Sequence, residues 1–270
     1  MRLMTLSALV FFWAVSAAAQ TLFGQSTDYA TVELHAGVPM ASGQRVAALR
    51  VELSPGWKTY WRSPGDAGIP PHFDWAGSEN LSAVKIEWPS PVVFNTYGSR
   101  TIGYEQRMVL PMVLTPTDPA KPIRIRLGFS YGLCREICIP AFESVALDIE
   151  PGAAEEGAYF IKTARATMPV GAGEVGLVNS TCRIEGAGAK RVLTAAFSFA
   201  SPLRRAPVVV AEGPDGVWIG PMASSLHHGD LIARGPVETE AGRWIDRSSI
   251  IVTLLGDGGA AEIEGCAPTG

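Results

Sequence analysis

The clearest alternation of apolar and polar positions runs from Ile123 to Tyr131, where Ile123, Ile125, Leu127 and Phe129 alternate with Arg124 and Arg126. A period of two sends successive side chains to opposite faces, so this run predicts a strand with one buried face. After Pro140 a second run repeats the period with Val145, Leu147 and Ile149. Arg45 to Leu53 reads the same way, exposing Arg50 and Glu52 between Leu49, Val51 and Leu53. Met108 to Leu114 is apolar but carries Pro111, and because proline has no N–H for a ladder this predicts an edge or bulged strand. Turn chemistry at Ser54-Pro55-Gly56 and Ser63-Pro64-Gly65-Asp66 separates the runs. Short strands punctuated by Gly and Pro predict an all-β sandwich.

Near Pro151-Gly152 the pattern changes. From Ala153 to Met168 period two is lost, Glu155, Glu156, Lys162 and Arg165 stand among alanines, and the run stops before Pro169, as a linking helix would. Strand-like runs return at Val192 to Phe199, Pro207 to Ala211 and Ser248 to Leu255, with Gly-rich loops between them, which predicts a second, small β-rich domain. No clear internal repeat is visible.

Met1 to Ala19 reads as a secretory signal: an early Arg2, an apolar stretch from Leu6 to Val15, then Ser16-Ala17-Ala18-Ala19 before Gln20. An anchor helix would need about 20 apolar residues, more than this stretch supplies. The organisation that follows is a signal peptide at 1–19, a first β-domain at 20–150, a link with helical patterning at 151–170 and a second β-rich domain at 171–270. The chain is expected to be periplasmic, where disulfides form and persist. A net charge of −4 argues against a nucleic-acid surface, which would need a basic stripe. No phosphate loop, dinucleotide fingerprint or zinc-binding helix motif is present.

In that compartment the segment from Tyr131 to Pro140 carries the chemistry, because it places Cys134 and Cys138 four positions apart between two predicted strands. Such a pair reads as a dithiol device, with an inert hairpin disulfide as the plain alternative. Thiol–disulfide exchange needs one accessible thiolate and a second thiol close enough to resolve the mixed disulfide, and it needs no cofactor, since two thiols carry two electrons. Arg135 favours a thiolate and Glu136 opposes it, so the neighbours predict no strong activation.

The aromatic stretch from Gly56-Trp57-Lys58-Thr59-Tyr60-Trp61 through Ser63-Pro64-Gly65-Asp66, then Tyr97-Gly98, then Cys134 and Cys138 before Pro140, resembles the amino-terminal periplasmic domain of the thiol:disulfide interchange protein DsbD and the related ScsB proteins. The resemblance covers roughly Thr27 to Glu150. It implies an immunoglobulin-like β-sandwich carrying the cysteine pair, with a membrane electron donor of the DsbD or ScsB type and thioredoxin-like periplasmic oxidoreductases as partners. It also implies Cys138 as the attacking thiol and Cys134 as the resolving one. The loop Phe94-Asn95-Thr96-Tyr97-Gly98 would cap the pair, with Tyr60 and Trp61 flanking it. The spacing of three residues between the cysteines follows the ScsB-like branch, and acidic residues of the best-known relatives' cap are Phe94 and Asn95 here. Aromatic residues of a β-domain also serve as plain core.

Cys182 and Cys266 flank the second β-region almost end to end, which favours a structural staple over a second exchange pair. The rival function is Cu(I) binding through Cys134 and Cys138, with His35, His72, His227, His228 or a methionine completing the site. No histidine stands at a diagnostic spacing from Cys134.

Overall fold

The computed structural model describes residues 28–268 except 97, 153–155, 187–190 and 241–242. The predicted signal peptide therefore lies outside the described residues, as does Tyr97.

The first sandwich is built from β1 (Ala30–Ala36), β2 (Arg45–Leu53), β3 (Lys58–Gly65), β4 (His72–Asp74), β5 (Leu81–Ile86), β6 (Val92–Thr96), β7 (Ser99–Glu105), β8 (Arg107–Pro116), β9 (Ile123–Cys134) and β10 (Cys138–Ile149). One sheet has the order β1-β2-β8-β5, and the facing sheet β10-β9-β3-β7-β6. Strand β3 pairs with β9 only at Lys58 and Thr59, after which β4 takes its place beside β9. The alternating runs behave as their period demands: Ile123, Ile125, Leu127, Phe129 and Tyr131 face Leu49, Val51, Met108 and Leu110 in one core.

Pro111 is a correction. Strand β8 is internal, between β2 and β5, and not an edge. The proline is tolerated because the β5 ladder ends at the preceding register, Ile86 opposite Met112, and Pro111 meets only the Glu87 N–H, which donates to its carbonyl at 2.8 Å. On that side no strand partner asks for the missing donor.

The helix α1 (Ala158–Arg165) falls inside the segment with helical patterning. It lays Ile161 on Val46 and Ala48, which is why the start of β2 is buried on both faces despite its alternation. Its far end is tied down by Arg165, whose Nε donates to Glu87 at 2.6 Å.

The second sandwich comprises β11 (Val170–Gly171), β12 (Leu177–Glu185), β13 (Arg191–Phe199), β14 (Val208–Glu212), β15 (Val217–Ile219), β16 (Ala223–His227), β17 (Asp230–Thr239), β18 (Ile251–Gly256), β19 (Gly259–Glu264) and β20 (Ala267–Pro268). Its sheets have the orders β11-β19-β18-β14 and β15-β17-β13-β12-β20, with β16 beside β17. Val209, Ala211, Val252 and Leu254 fill the space between these sheets with Leu193, Phe197 and Leu231. Their sequence neighbours Val210 and Leu255, with Ala260, join the core of the first sandwich, so the two units share apolar contact. An ion cluster closes the junction. Arg62, the residue after Tyr60-Trp61 on β3, donates through Nε and Nη2 to Glu212 at 2.9–3.0 Å and through Nη2 to Glu262 at 2.6 Å. Burial works against the Arg62 charge, but the two carboxylates more than offset it and hold the guanidinium above its ordinary pKa.

Candidate redox site

The site sits at the closed end of the β9–β10 hairpin. Cys138 opposite Cys134 is the last rung of that ladder, with Arg135-Glu136-Ile137 as the connection. The Cα atoms are 4.1 Å apart and the sulfurs are bonded. Side chains directly opposite each other in an antiparallel pair share a face, so the bridge lies on the outer face of its sheet while Leu133 and Tyr131 point to the core.

The two sulfurs are not equivalent. Cys134 is 8% exposed, with Lys58 as its partner on β3. Cys138 is exposed. Of the two residues, Cys138 is the more accessible.

Tyr60 supplies the closest polar contact. Its Oη–H donates to Cys138 Sγ at 3.1 Å. The ring is 2% exposed, and burial pushes the phenol above its ordinary pKa, which keeps the proton available for donation. Two glycines make room for it. A Cβ on Gly132 of β9 would stand 2.6 Å from Tyr60 Cδ2, and one on Gly68 would stand 2.7 Å from Cδ1. The rest of the aromatic stretch is scaffolding: Gly56 turns with φ +80°, Trp57 stacks on Tyr29 at 4.2 Å, and Asp66 Oδ2 accepts from the Arg100 N–H at 2.7 Å.

Trp61 is not brought to the pair. One residue beyond Tyr60, it points to the opposite face and is fully buried in the sandwich core. Phe94 lies near the site on the β6–β7 hairpin, its ring 4.5 Å from Nζ of Lys58, the cross-strand partner of Cys134. The tip of the expected cap, Tyr97, is outside the described residues.

Two features escape a reading of the sequence. Ile137 at the hairpin tip is 74% exposed, and Phe142, four positions beyond Cys138 on the same face of β10, is 69% exposed. The even spacing of Cys138, Pro140 and Phe142 was the available signal, since alternate residues of a strand share a face.

Cys182 and Cys266 form the other bridge, with Cα atoms 5.5 Å apart and Cys182 fully buried. The candidate copper ligands are scattered: His35 Nε2 lies 3.3 Å from Glu33, His72 on β4 pairs with Ser130 of β9, and in the second sandwich His227 ends β16 beside the turn at His228. Among the described residues no group of three or more His, Cys, Asp or Glu is gathered to hold a metal ion.

Residues 29–149 match the family model described as thiol:disulfide interchange protein DsbD, N-terminal. In fold the chain is similar to the crystal structure of the N-terminal periplasmic domain of ScsB from Proteus mirabilis, with a TM-score of 0.69 and 23% identity over 91% of this chain and 96% of that one. No curated protein matches the sequence. The resemblance carried by the aromatic stretch and the cysteine pair therefore stands over the first sandwich, and it supports a role in thiol–disulfide exchange. That solved domain is periplasmic, and among the described residues of this chain no helix is long and apolar enough to cross a membrane.

Proposed function

We propose that the protein is a periplasmic relay that accepts two electrons at the Cys134–Cys138 disulfide from a membrane or thioredoxin-like donor and passes them to thioredoxin-like acceptors. The observation that carries this reading is the asymmetry of the pair: one buried sulfur, one exposed sulfur, and a protonated Tyr60 hydroxyl on the exposed one.

The exchange balances as follows. A donor thiolate attacks Cys138 Sγ, the Cys134–Cys138 bond breaks and Cys134 leaves as a thiolate that takes up a proton. The donor's second thiol then attacks the donor sulfur of the mixed disulfide, the donor becomes the disulfide, and Cys138 is released. Delivery runs the same steps in reverse: the Cys138 thiolate attacks an acceptor disulfide and Cys134 resolves the mixed disulfide. Tyr60 acts on Cys138 in both directions, because a hydrogen bond to sulfur favours its thiolate form as nucleophile and as leaving group. Exposed Ile137 beside Cys138 and exposed Phe142 further along the same face of β10 are the apolar contact offered to a partner.

Trapping tests the reading. Cys134→Ser leaves Cys138 without its resolving partner, so incubation with an oxidised thioredoxin-like protein should accumulate a mixed disulfide on Cys138, resolved by non-reducing electrophoresis. Cys138→Ser should trap far less. Equal trapping by the two variants would remove the assignment of Cys138, and none by either would remove the relay.

A further inference from the structure

Between the sandwiches, β3 with its following loop faces β14 and β15 across a cleft of about 530 Å³, within the size range of ligand sites of about 300–1,000 Å³. The lining is informative in its order. It takes residues 62–66, 208–213 and 217–222 consecutively. A strand that shows a face to a cavity lines it with every second residue, and one that shows its edge lines it with every residue. The cleft is therefore walled by backbone edges.

On the second sandwich's side these edges are unpaired. Among the described residues β14 pairs only with β18, and β15 only with β17. An open edge with its N–H and C=O groups facing a cleft accepts an extended chain as an added strand. Apolar side chains around it include Ile102, Val208 and Met222, with Trp218 53% exposed at the rim. Gly220 lets that indole fold inward, since a Cβ there would stand 2.6 Å from Trp218 Cη2.

One cation in the lining is poised for a ligand oxygen. Arg62 is occupied by Glu212 and Glu262, but Arg100 has its Nε buried with no hydrogen-bond partner. Its backbone is held in place by Asp66, whose N–H donates to the Arg100 carbonyl at 2.8 Å while its carboxylate accepts from the Arg100 N–H. A buried donor without an acceptor calls for one. The lining charges of Arg62, Arg100, Asp66 and Glu212 sum to zero and Glu262 behind Arg62 adds one negative charge, so the cleft does not attract an anion and suits an uncharged chain whose oxygen is a carbonyl.

We propose that this cleft binds an extended apolar peptide segment of a partner protein, added as a strand along β14 with a carbonyl oxygen on Arg100 Nε. The site uses neither sulfur, so it goes beyond the relay. It also adjoins the relay: Gly68, in the lining, abuts the Tyr60 ring.

The probe is an acetylated, amidated heptapeptide of alternating valine and threonine, titrated into the purified protein while the backbone amide signals of residues 208–212 and the tryptophan fluorescence are followed. The same peptide N-methylated at alternate residues, and decanoate, are titrated in parallel. We expect saturable binding with shifts centred on 208–212, a loss of about tenfold for the N-methylated peptide and about tenfold in Arg100→Ala, and a severalfold loss in Trp218→Ala, which keeps the test open if Arg100→Ala does not fold. Binding should persist in a Cys134→Ser, Cys138→Ser double variant, which separates this site from the relay. Absence of shifts at millimolar peptide, equal binding of the N-methylated peptide, or saturation by decanoate alone would overturn the proposal.

Discussion

Cys134–Cys138 closes a hairpin of adjacent strands on the outer face of the first sandwich, while Cys182–Cys266 ties β12 to the end of the chain across 84 residues of sequence, with one sulfur sealed in the second core. The chemistry of the bond is the same in both places. What differs is access and the length of chain constrained. An exposed sulfur beside a hydroxyl donor can be attacked and can leave, and closing four residues takes little entropy from the unfolded chain. A buried sulfur behind a long loop is hard to attack and constrains much more. On access and loop length we propose exchange at Cys134–Cys138 and a stabilising role for Cys182–Cys266.

The sharpest way to break this assignment is to remove each bridge and measure turnover. Cys138→Ser should abolish electron transfer to a thioredoxin-like acceptor, whereas a Cys182→Ala, Cys266→Ala double variant, assayed at a temperature where it stays folded, should retain it. Stability should respond in the opposite order. The chain-entropy model assigns about 4 to 5 kcal/mol to a loop of the length closed by Cys182–Cys266 and about 2 kcal/mol to the Cys134–Cys138 loop. Denaturant titration of the two bridge-deleted proteins measures both, and a larger loss from the Cys134–Cys138 deletion would reverse the roles. Graded reduction should open Cys134–Cys138 first.

Much of this division is written in the sequence. Period two placed β9 and β10 on either side of the cysteine pair, and the distance between Cys182 and Cys266 marked a staple. The parts that were not legible have physical causes. Trp61 and Tyr60 are adjacent large aromatics, and only the register of β3, with Tyr60 opposite Gly103 and its ring against Gly132, sends one ring to the sulfur and the other to the core. Strands β15 to β17 escaped because their runs are short or interrupted by Gly235 and Pro236. Pro111 misled because a missing N–H matters only where a partner strand reaches, and β5 stops one register short. The Arg62 cluster joins residues 150 and 200 positions apart, which no local pattern reveals.

A finer test separates the environment of the exposed sulfur from its exposure alone. Tyr60→Phe keeps the ring between Gly68 and Gly132 and removes only the hydroxyl that donates to Cys138. A hydrogen bond to a charged group contributes about 1.5 kcal/mol or more, so alkylation of reduced Cys138 near neutral pH should slow about tenfold. The sign follows from which form is stabilised: the hydroxyl favours the thiolate, and without it the rise of alkylation rate with pH should move to higher pH. The alkylation of Cys134 in the Cys138→Ser background should not change. An unaltered pH profile would leave exposure as the sole distinction of Cys138.

The smallest expected effect concerns the hairpin that carries Phe94. Its ring lies 4.5 Å from the ammonium of Lys58, the cross-strand partner of Cys134; if the β6–β7 hairpin caps the pair, as the family resemblance implies, lifting it must break that contact. A cation–π contact at an accessible site is worth about 0.5 to 1 kcal/mol, which converts to an open population raised about two- to fivefold in Phe94→Ala. If that hairpin limits access, reduction of the disulfide by a small thiol such as dithiothreitol should accelerate by the same factor, because the reagent would then react with the open form. Lys58→Met, which removes the charge and keeps the length, should accelerate it similarly, and the double variant should add nothing further, since both substitutions delete one contact. Additive effects would show that Phe94 and Lys58 act separately, and unchanged kinetics in both would show that the hairpin does not govern access to the bridge.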